Sequence, residues 1–195
     1  MNLMQHIRFS FQENIKLKIK ASEMLIPIIV EASQVLVNCI QNGGKILSCG
    51  NGGSACDAMH FNAEIANRYI VERNGLSAIT LVSDTALLTA ISNDYSYQDI
   101  FSRQIKALGN KNDVLLSIST SGNSENIIKA ILKAHECKIR VIALTGNNGG
   151  KIAKILTTDD VEIRVPSSVT PRIQESHILV IHCLCELVDI LLKTA

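Results

Sequence analysis

Lys45-Ile46-Leu47-Ser48-Cys49-Gly50-Asn51-Gly52-Gly53-Ser54 reads as a short apolar strand running into a turn of glycine, asparagine and serine, and Ala55 to about Tyr69 reads as helix. The pattern returns downstream. Asp113 to Ile118 is an apolar strand, followed by Ser119-Thr120-Ser121-Gly122-Asn123-Ser124 and a helix to about Glu136. Arg140 to Leu144 is another strand, with Thr145-Gly146-Asn147-Asn148-Gly149-Gly150 and a short helix behind it. Ser77 to Val82 and Val161 to Val165 bring the strands to five, and Thr85 to Ile91 and Tyr97 to Leu108 are helical. Strands alternating with helices at this spacing predict βαβ units, hence an α/β fold with a largely parallel sheet and helices on both faces.

Residues 1–42 carry Met4, Ile7, Phe11, Ile15 and Ile19 at three- and four-residue steps, the period of a helix. A second helix is expected from about Leu25 to Gln41, stopped by Asn42-Gly43-Gly44, since Asn and Gly adopt the left-handed helix stop at low cost. Pro166 to Pro171 reads as a loop before a long final helix. The expectation is one domain over 1–195, with an α/β core over 43–195 and the helical segment 1–42 serving subunit contacts.

The chain has 195 residues, 47% of them hydrophobic and 19% charged, with 19 Lys+Arg against 18 Asp+Glu. That composition excludes a disordered chain, and its near-neutral balance argues against direct nucleic-acid binding. An apolar excess with few charges predicts surface buried between subunits. The longest apolar run near the N-terminus, Met24 to Val30, holds Pro27 and is too short to span a bilayer; no signal-peptide pattern precedes it. A soluble, cytoplasmic chain with no membrane partner is expected. The six cysteines form no CxxC pair and are expected to be buried free thiols.

Ligands of open α/β sheets sit at the carboxyl ends of strands, where the following helix points free N–H groups and its positive dipole end. Ser119, Thr120, Ser121 and Ser124 put four hydroxyls there within six residues, which suits a phosphate monoester. No GxxxxGK[ST] lysine and no GxGxxG spacing is present, so a small sugar phosphate fits better than a triphosphate or a dinucleotide. Thr145 to Gly150 reads equally well as a plain turn.

His60 and Glu64, four apart, share a helix face, and both are suitable ligands for a divalent ion such as Zn2+. The last helix offers Gln174, His177, His182 and Glu186. Gln174 and His182 lie two turns apart, about 12 Å along the axis. Spacing does not choose among these candidates, and His182, between Ile181 and Cys183, reads equally as a core histidine.

Several stretches together carry a resemblance: Ser48-Cys49-Gly50-Asn51-Gly52-Gly53-Ser54, Cys56-Asp57-Ala58-Met59-His60-Phe61 with Glu64, Ser92-Asn93-Asp94, Asp99-Ile100-Phe101-Ser102-Arg103, Ile118 to Ser124, and Arg172-Ile173-Gln174-Glu175. The chain resembles the sugar-isomerase (SIS) domains, and among them the bacterial phosphoheptose isomerases, from about residue 5 onward. The resemblance implies a flavodoxin-like sheet, a homotetramer, and conversion of sedoheptulose 7-phosphate to D-glycero-D-manno-heptose 7-phosphate for lipopolysaccharide. It implies one Zn2+ per subunit on His60, Glu64, Gln174 and His182. It places phosphate on Ser54, Ser119, Ser121 and Ser124 with Thr120 nearby, and sugar on Asn51, Gly52, Gly53, Asn93, Asp94 and Gln174. Glu64 would be the base and His182 the acid/base partner of an enediol mechanism.

A related group that binds the replication initiator DnaA is similar in the outer helices, around Glu13-Asn14-Ile15, Leu87-Leu88-Thr89-Ala90-Ile91 and Cys183 to Asp189. Members of that group typically lack the acid and the imidazole that stand here as Glu64 and His182. Pro171 stands where some isomerases carry Asp, which implies reduced activity or an altered substrate if that Asp orients a ligand.

Overall fold

The computed structural model describes residues 2–193. A long helix α1 (Leu3–Gln41) leads into β1 (Ile46–Gly50), α2 (Gly53–Ala66), β2 (Ala78–Thr80) and α3 (Thr85–Asp94). A 3-10 turn (Tyr97–Asp99), α4 (Ile100–Leu108), β3 (Val114–Ser119), α5 (Glu125–Glu136) and β4 (Arg140–Thr145) follow, then α6 (Ile152–Ile155), β5 (Val161–Arg164) and α7 (Thr170–Lys193). The five strands are all parallel, in the order β2-β1-β3-β4-β5. This is the flavodoxin-like order, whose switch point lies between β1 and β3. Gly50 and Ile118 pair there, one residue before the Ser119 loop.

The central strands read as unbroken apolar runs because both faces of the sheet are covered. Ile46, Val114, Leu116, Ile118, Ile142 and Leu144 face a core built with α1, α2 and α7. Leu47, Cys49, Leu115, Val141 and Ala143 face the opposite core, with α4, α5 and α6.

The N-terminal segment departs from the two-helix expectation. One helix runs unbroken for 39 residues, about 58 Å at 1.5 Å per residue, straight past Pro27. Proline costs a helix a hydrogen bond. Here Leu25, Ile29 and Ala32, on either side of it, are buried with Leu36 in the core that α7 completes. Tertiary packing thus holds the helix through a residue that local rules treat as a break. Asn2 caps its start, its side chain accepting from Met4 and Gln5 N–H.

A continuous α1 also revises the length argument from Met24–Val30. Part of the helix has a mean hydropathy of 1.6 and is long and apolar enough to cross a bilayer, by length and composition only. Its C-terminal half instead packs on α7 and β5 within the protein. All six cysteines are free. Cys39, Cys49 and Cys185 are buried, whereas Cys56 is exposed, because it lies on the side of α2 away from the core.

Candidate active site

The carboxyl ends of β1 and β3 carry the two loops singled out by their composition, and each leads into a helix N-terminus. In the second loop the Ser119 hydroxyl donates to the Ser124 Oγ at 3.3 Å, and the Ser121 Oγ accepts from the Asn123 N–H at 3.1 Å. Ser124 is the N-cap of α5, yet its side chain makes no capping bond. Its hydroxyl and the first amides of α5 are therefore available to an anion, with the helix dipole favouring negative charge. Ser54, in the first turn of α2, is buried.

Thr145 to Gly150 acts as a buttress. Gly122 has a φ of +65°, and a Cβ there would collide with the carbonyl oxygen of Gly149. The Gly122 carbonyl accepts from Ile152 N–H at 2.9 Å, and the Asn123 Oδ1 accepts from Lys151 N–H at 3.0 Å. The Thr145–Gly150 loop and the start of α6 thereby support the serine-rich loop.

Asn51 is fixed from two sides. Its amide and that of Asn126 exchange hydrogen bonds reciprocally, each at 2.8 Å, and the Tyr97 hydroxyl donates to Asn51 Oδ1 at 2.9 Å. Asn126 and Tyr97 escaped the sequence reading. Apart from an asparagine in the first turn of α5, no local pattern marks them. Gly53 lies against the end of the Gln174 side chain, whose carboxamide a Cβ there would displace. Gln174 is thus seated at the N-terminus of α2, beside Gly52 and Ser54.

One face of α2 meets α7. His60 Nε2 lies 3.0 Å from His182 Nε2 and 3.4 Å from Glu64 Oε1. The imidazoles meet edge-to-face, and Tyr69 stacks on His182 with 5.7 Å between ring centroids. The alternatives left open on α7 separate here. His177 is the core histidine: it is wholly buried and its Nε2–H donates to the Thr145 carbonyl at 3.0 Å. Burial pushes its imidazole down to about 4, so it is neutral at physiological pH. Glu186 is exposed. His177 falls four residues from both Ile173 and Ile181, inside the apolar stripe, and that position would have identified it from sequence.

A tetrahedral ion with bonds of about 2.0–2.1 Å places its donors roughly 3.3 Å apart. The 3.0 and 3.4 Å separations match that spacing, and two imidazoles with a carboxylate are donors of the right chemistry for Zn2+. The three form a chain rather than a closed triangle. Among the described residues no three His, Cys, Asp or Glu side chains are gathered tightly enough to hold an ion as they stand. Asp57, one turn before His60, has a half-buried carboxyl that burial pushes up to about 6 against the opposing pull of His60. Its Oδ2 is buried without a hydrogen-bond partner.

Asn93 and Asp94 are not brought to this cluster within one chain. They sit exposed at the end of α3, where the Asn93 amide donates to Asp94 Oδ1 at 3.0 Å. Pro171 occupies the first turn of α7, where a missing N–H costs nothing.

The SIS domain pattern matches residues 10–146. The phosphoheptose isomerase of Coxiella burnetii is 52% identical over 189 residues, covering 97% of this chain and 95% of its own. This chain belongs to the SIS-domain family, as a phosphoheptose isomerase member. The solved phosphoheptose isomerase of Neisseria gonorrhoeae is 48% identical with a TM-score of 0.92, covering 96% of this chain and 99% of its own. That of Francisella tularensis is 45% identical with a TM-score of 0.95, covering 97% and 99%. Within this SIS-domain frame, the serine loop lies at the carboxyl end of β3, beside the β1–β3 switch point, and the His60–Glu64–His182 cluster lies where α2 packs on α7.

Proposed function

We infer that this chain is an aldose–ketose isomerase that converts sedoheptulose 7-phosphate to D-glycero-D-manno-heptose 7-phosphate in the cytoplasm, supplying heptose for lipopolysaccharide. The observation that carries the reading is the meeting of His60, Glu64 and His182 where α2 packs on α7. Near-full-length identity of about half with phosphoheptose isomerases supports it.

The phosphate is held by Ser54, Ser119, Thr120, Ser121 and Ser124 with the N-terminal amides of α5. Asn51, Gly52, Gly53 and Gln174 line the path of the sugar, and Asn93 and Asp94 close it once a neighbouring subunit is in place. Glu64 removes a proton from C1 of the ketose and returns it to C2 of the enediol, while His182 passes the hydroxyl proton from O1 to O2. Zn2+, one per subunit on His60, Glu64, Gln174 and His182, would supply Lewis-acid stabilisation of the developing oxyanion.

The homotetramer is part of the same proposal. Leu3, Met4, Ile7, Phe11, Ile15 and Ile19 leave an apolar stripe of α1 exposed, and a second copy would bury it. DnaA binding without turnover is the alternative reading. The contact of His60 with both Glu64 and His182, the residues that group typically lacks, favours the isomerase.

The test is incubation of zinc-loaded protein with sedoheptulose 7-phosphate, with aldose phosphate followed by NMR. Turnover that disappears in Glu64→Gln, with phosphate binding retained, supports the reading. No turnover from a tetrameric, zinc-loaded protein overturns it and points to DnaA binding, with Pro171 the first residue to revert to Asp.

A further inference from the structure

We propose that Arg73, anchored by Asp189, is a positioning residue that sets the register between α2 and α7 and thereby assembles the His60–Glu64–His182 cluster. Arg73 lies in the irregular segment between α2 and β2, and its side chain is only 13% exposed. Its Nη2 donates to the carbonyl of Glu64 itself at 2.9 Å. Its Nη1 donates to the carbonyls of Ile65 at 3.0 Å, Asn74 at 3.1 Å and Asn67 at 3.2 Å. Its Nε donates to Asp189 Oδ1 on α7 at 2.6 Å.

One rigid, planar fork therefore grips the C-terminal carbonyls of α2 on one side and α7 on the other. The carbonyls at a helix C-terminus carry the negative dipole end, which a cation complements. Asp189 lies seven residues after His182, two turns along the same face of α7. A slide of α7 along α2 would break the 2.6 Å contact at Asp189 and the 3.0 Å contact at His182 together. Asp189 Oδ2 is buried without another hydrogen-bond partner, so this carboxylate depends on Arg73. Close approach supports the same segment, because a Cβ on Gly75 would strike the Ala66 carbonyl at the end of α2.

The assembly of the cluster stands on this geometry; its consequence for metal and turnover rests on the isomerase reading above. Arg73→Ala would strand a buried carboxylate and endanger folding. The double variant Arg73→Met/Asp189→Leu replaces the pair with apolar groups, which proteins tolerate well. Arg73→Lys keeps the charge but loses the fork.

The experiment compares both variants with the parent by crystal structure without metal, by Zn2+ affinity in competition with a chromophoric chelator, by melting temperature, and by kcat and KM. The expected double variant melts close to the parent, with the His60–His182 contact opened, Zn2+ affinity and kcat each lowered about 10–100-fold, and KM within about twofold. Arg73→Lys is expected to melt close to the parent while its Zn2+ affinity stays lowered. An unchanged His60–His182 contact with parental Zn2+ affinity overturns the proposal, as does a raised KM at parental kcat. If the parent itself shows no turnover, the isomerase reading fails, while the crystal structures and the Zn2+ titration still decide this inference.

Discussion

His60 on α2 and His182 on α7 are 122 residues apart in the chain and 3.0 Å apart between their Nε2 atoms. Without metal, one ring must carry the proton at this contact and the other accept it; with metal, both nitrogens are freed as donors. Zn2+ binding should therefore depend on both rings. His60→Ala and His182→Ala should each lose bound zinc, measured by elemental analysis after dialysis, while inorganic phosphate still binds by calorimetry. Retention of one zinc per chain in either variant would remove these residues from the ligand set.

Ser124 should act on substrate affinity rather than on chemistry, because its hydroxyl caps nothing within the protein. A hydrogen bond to a charged group contributes about 1.5–3 kcal/mol. Ser124→Ala should raise KM roughly 10–100-fold with kcat little changed. A fall in kcat at constant KM would place the serine in the chemical step instead.

Gly122→Ala joins two faults, a positive φ and a collision with the Gly149 carbonyl. Backbone strain of this kind costs about 1–3 kcal/mol. The variant should melt lower and bind phosphate more weakly, since the buttress shapes the phosphate loop. Unaltered phosphate binding in a destabilised variant would separate the two loops.

His177 predicts an acid-labile fold. Its folded-state value of about 4 lies below the ordinary histidine value of 6.5. Between those pH values the unfolded chain takes up a proton that the folded chain does not. Stability is complete above pH 6.5 and falls as pH drops toward 4, by on the order of 3 kcal/mol from this residue. His177→Leu removes that dependence. The Thr145 carbonyl stays satisfied in that variant, because Val165 N–H also donates to it at 3.0 Å. Urea unfolding of both proteins at pH 7.5 and 5 measures the difference, and parallel pH profiles would refute the assignment.

The stripe on α1 gives the assembly prediction. Ile7→Glu with Ile15→Glu places two charges on its exposed apolar face. Sedimentation of the parent should show the proposed tetramer, and the double variant should dissociate it while circular dichroism stays unchanged. A persistent tetramer would mean that subunits meet elsewhere.

Local chemistry made much of this legible in advance. Apolar runs too short for helices, each closed by Gly, Ser or Asn, marked the strands and the loops at their carboxyl ends. The i,i+4 spacing of His60 and Glu64 is a property of one helix, and it survived folding as a 3.4 Å contact. The density of hydroxyls from Ser119 to Ser124 marked the loop that leads into the N-terminus of α5, where free amides favour an anion.

Other features belong to no local window. Pro27 reads as a break, yet burial on both sides of it carries α1 through. Asn126, Tyr97 and Arg73 gain meaning only from partners on other elements. Length and sequence pattern determined that this chain makes a parallel α/β sheet with a hydroxyl-rich loop at a strand's carboxyl end, because periodicity and turn chemistry act over a few residues. That His182 comes within 3.0 Å of His60 was decided by the tertiary structure alone, because only the packing of α2 on α7 brings two residues so far apart in the chain together.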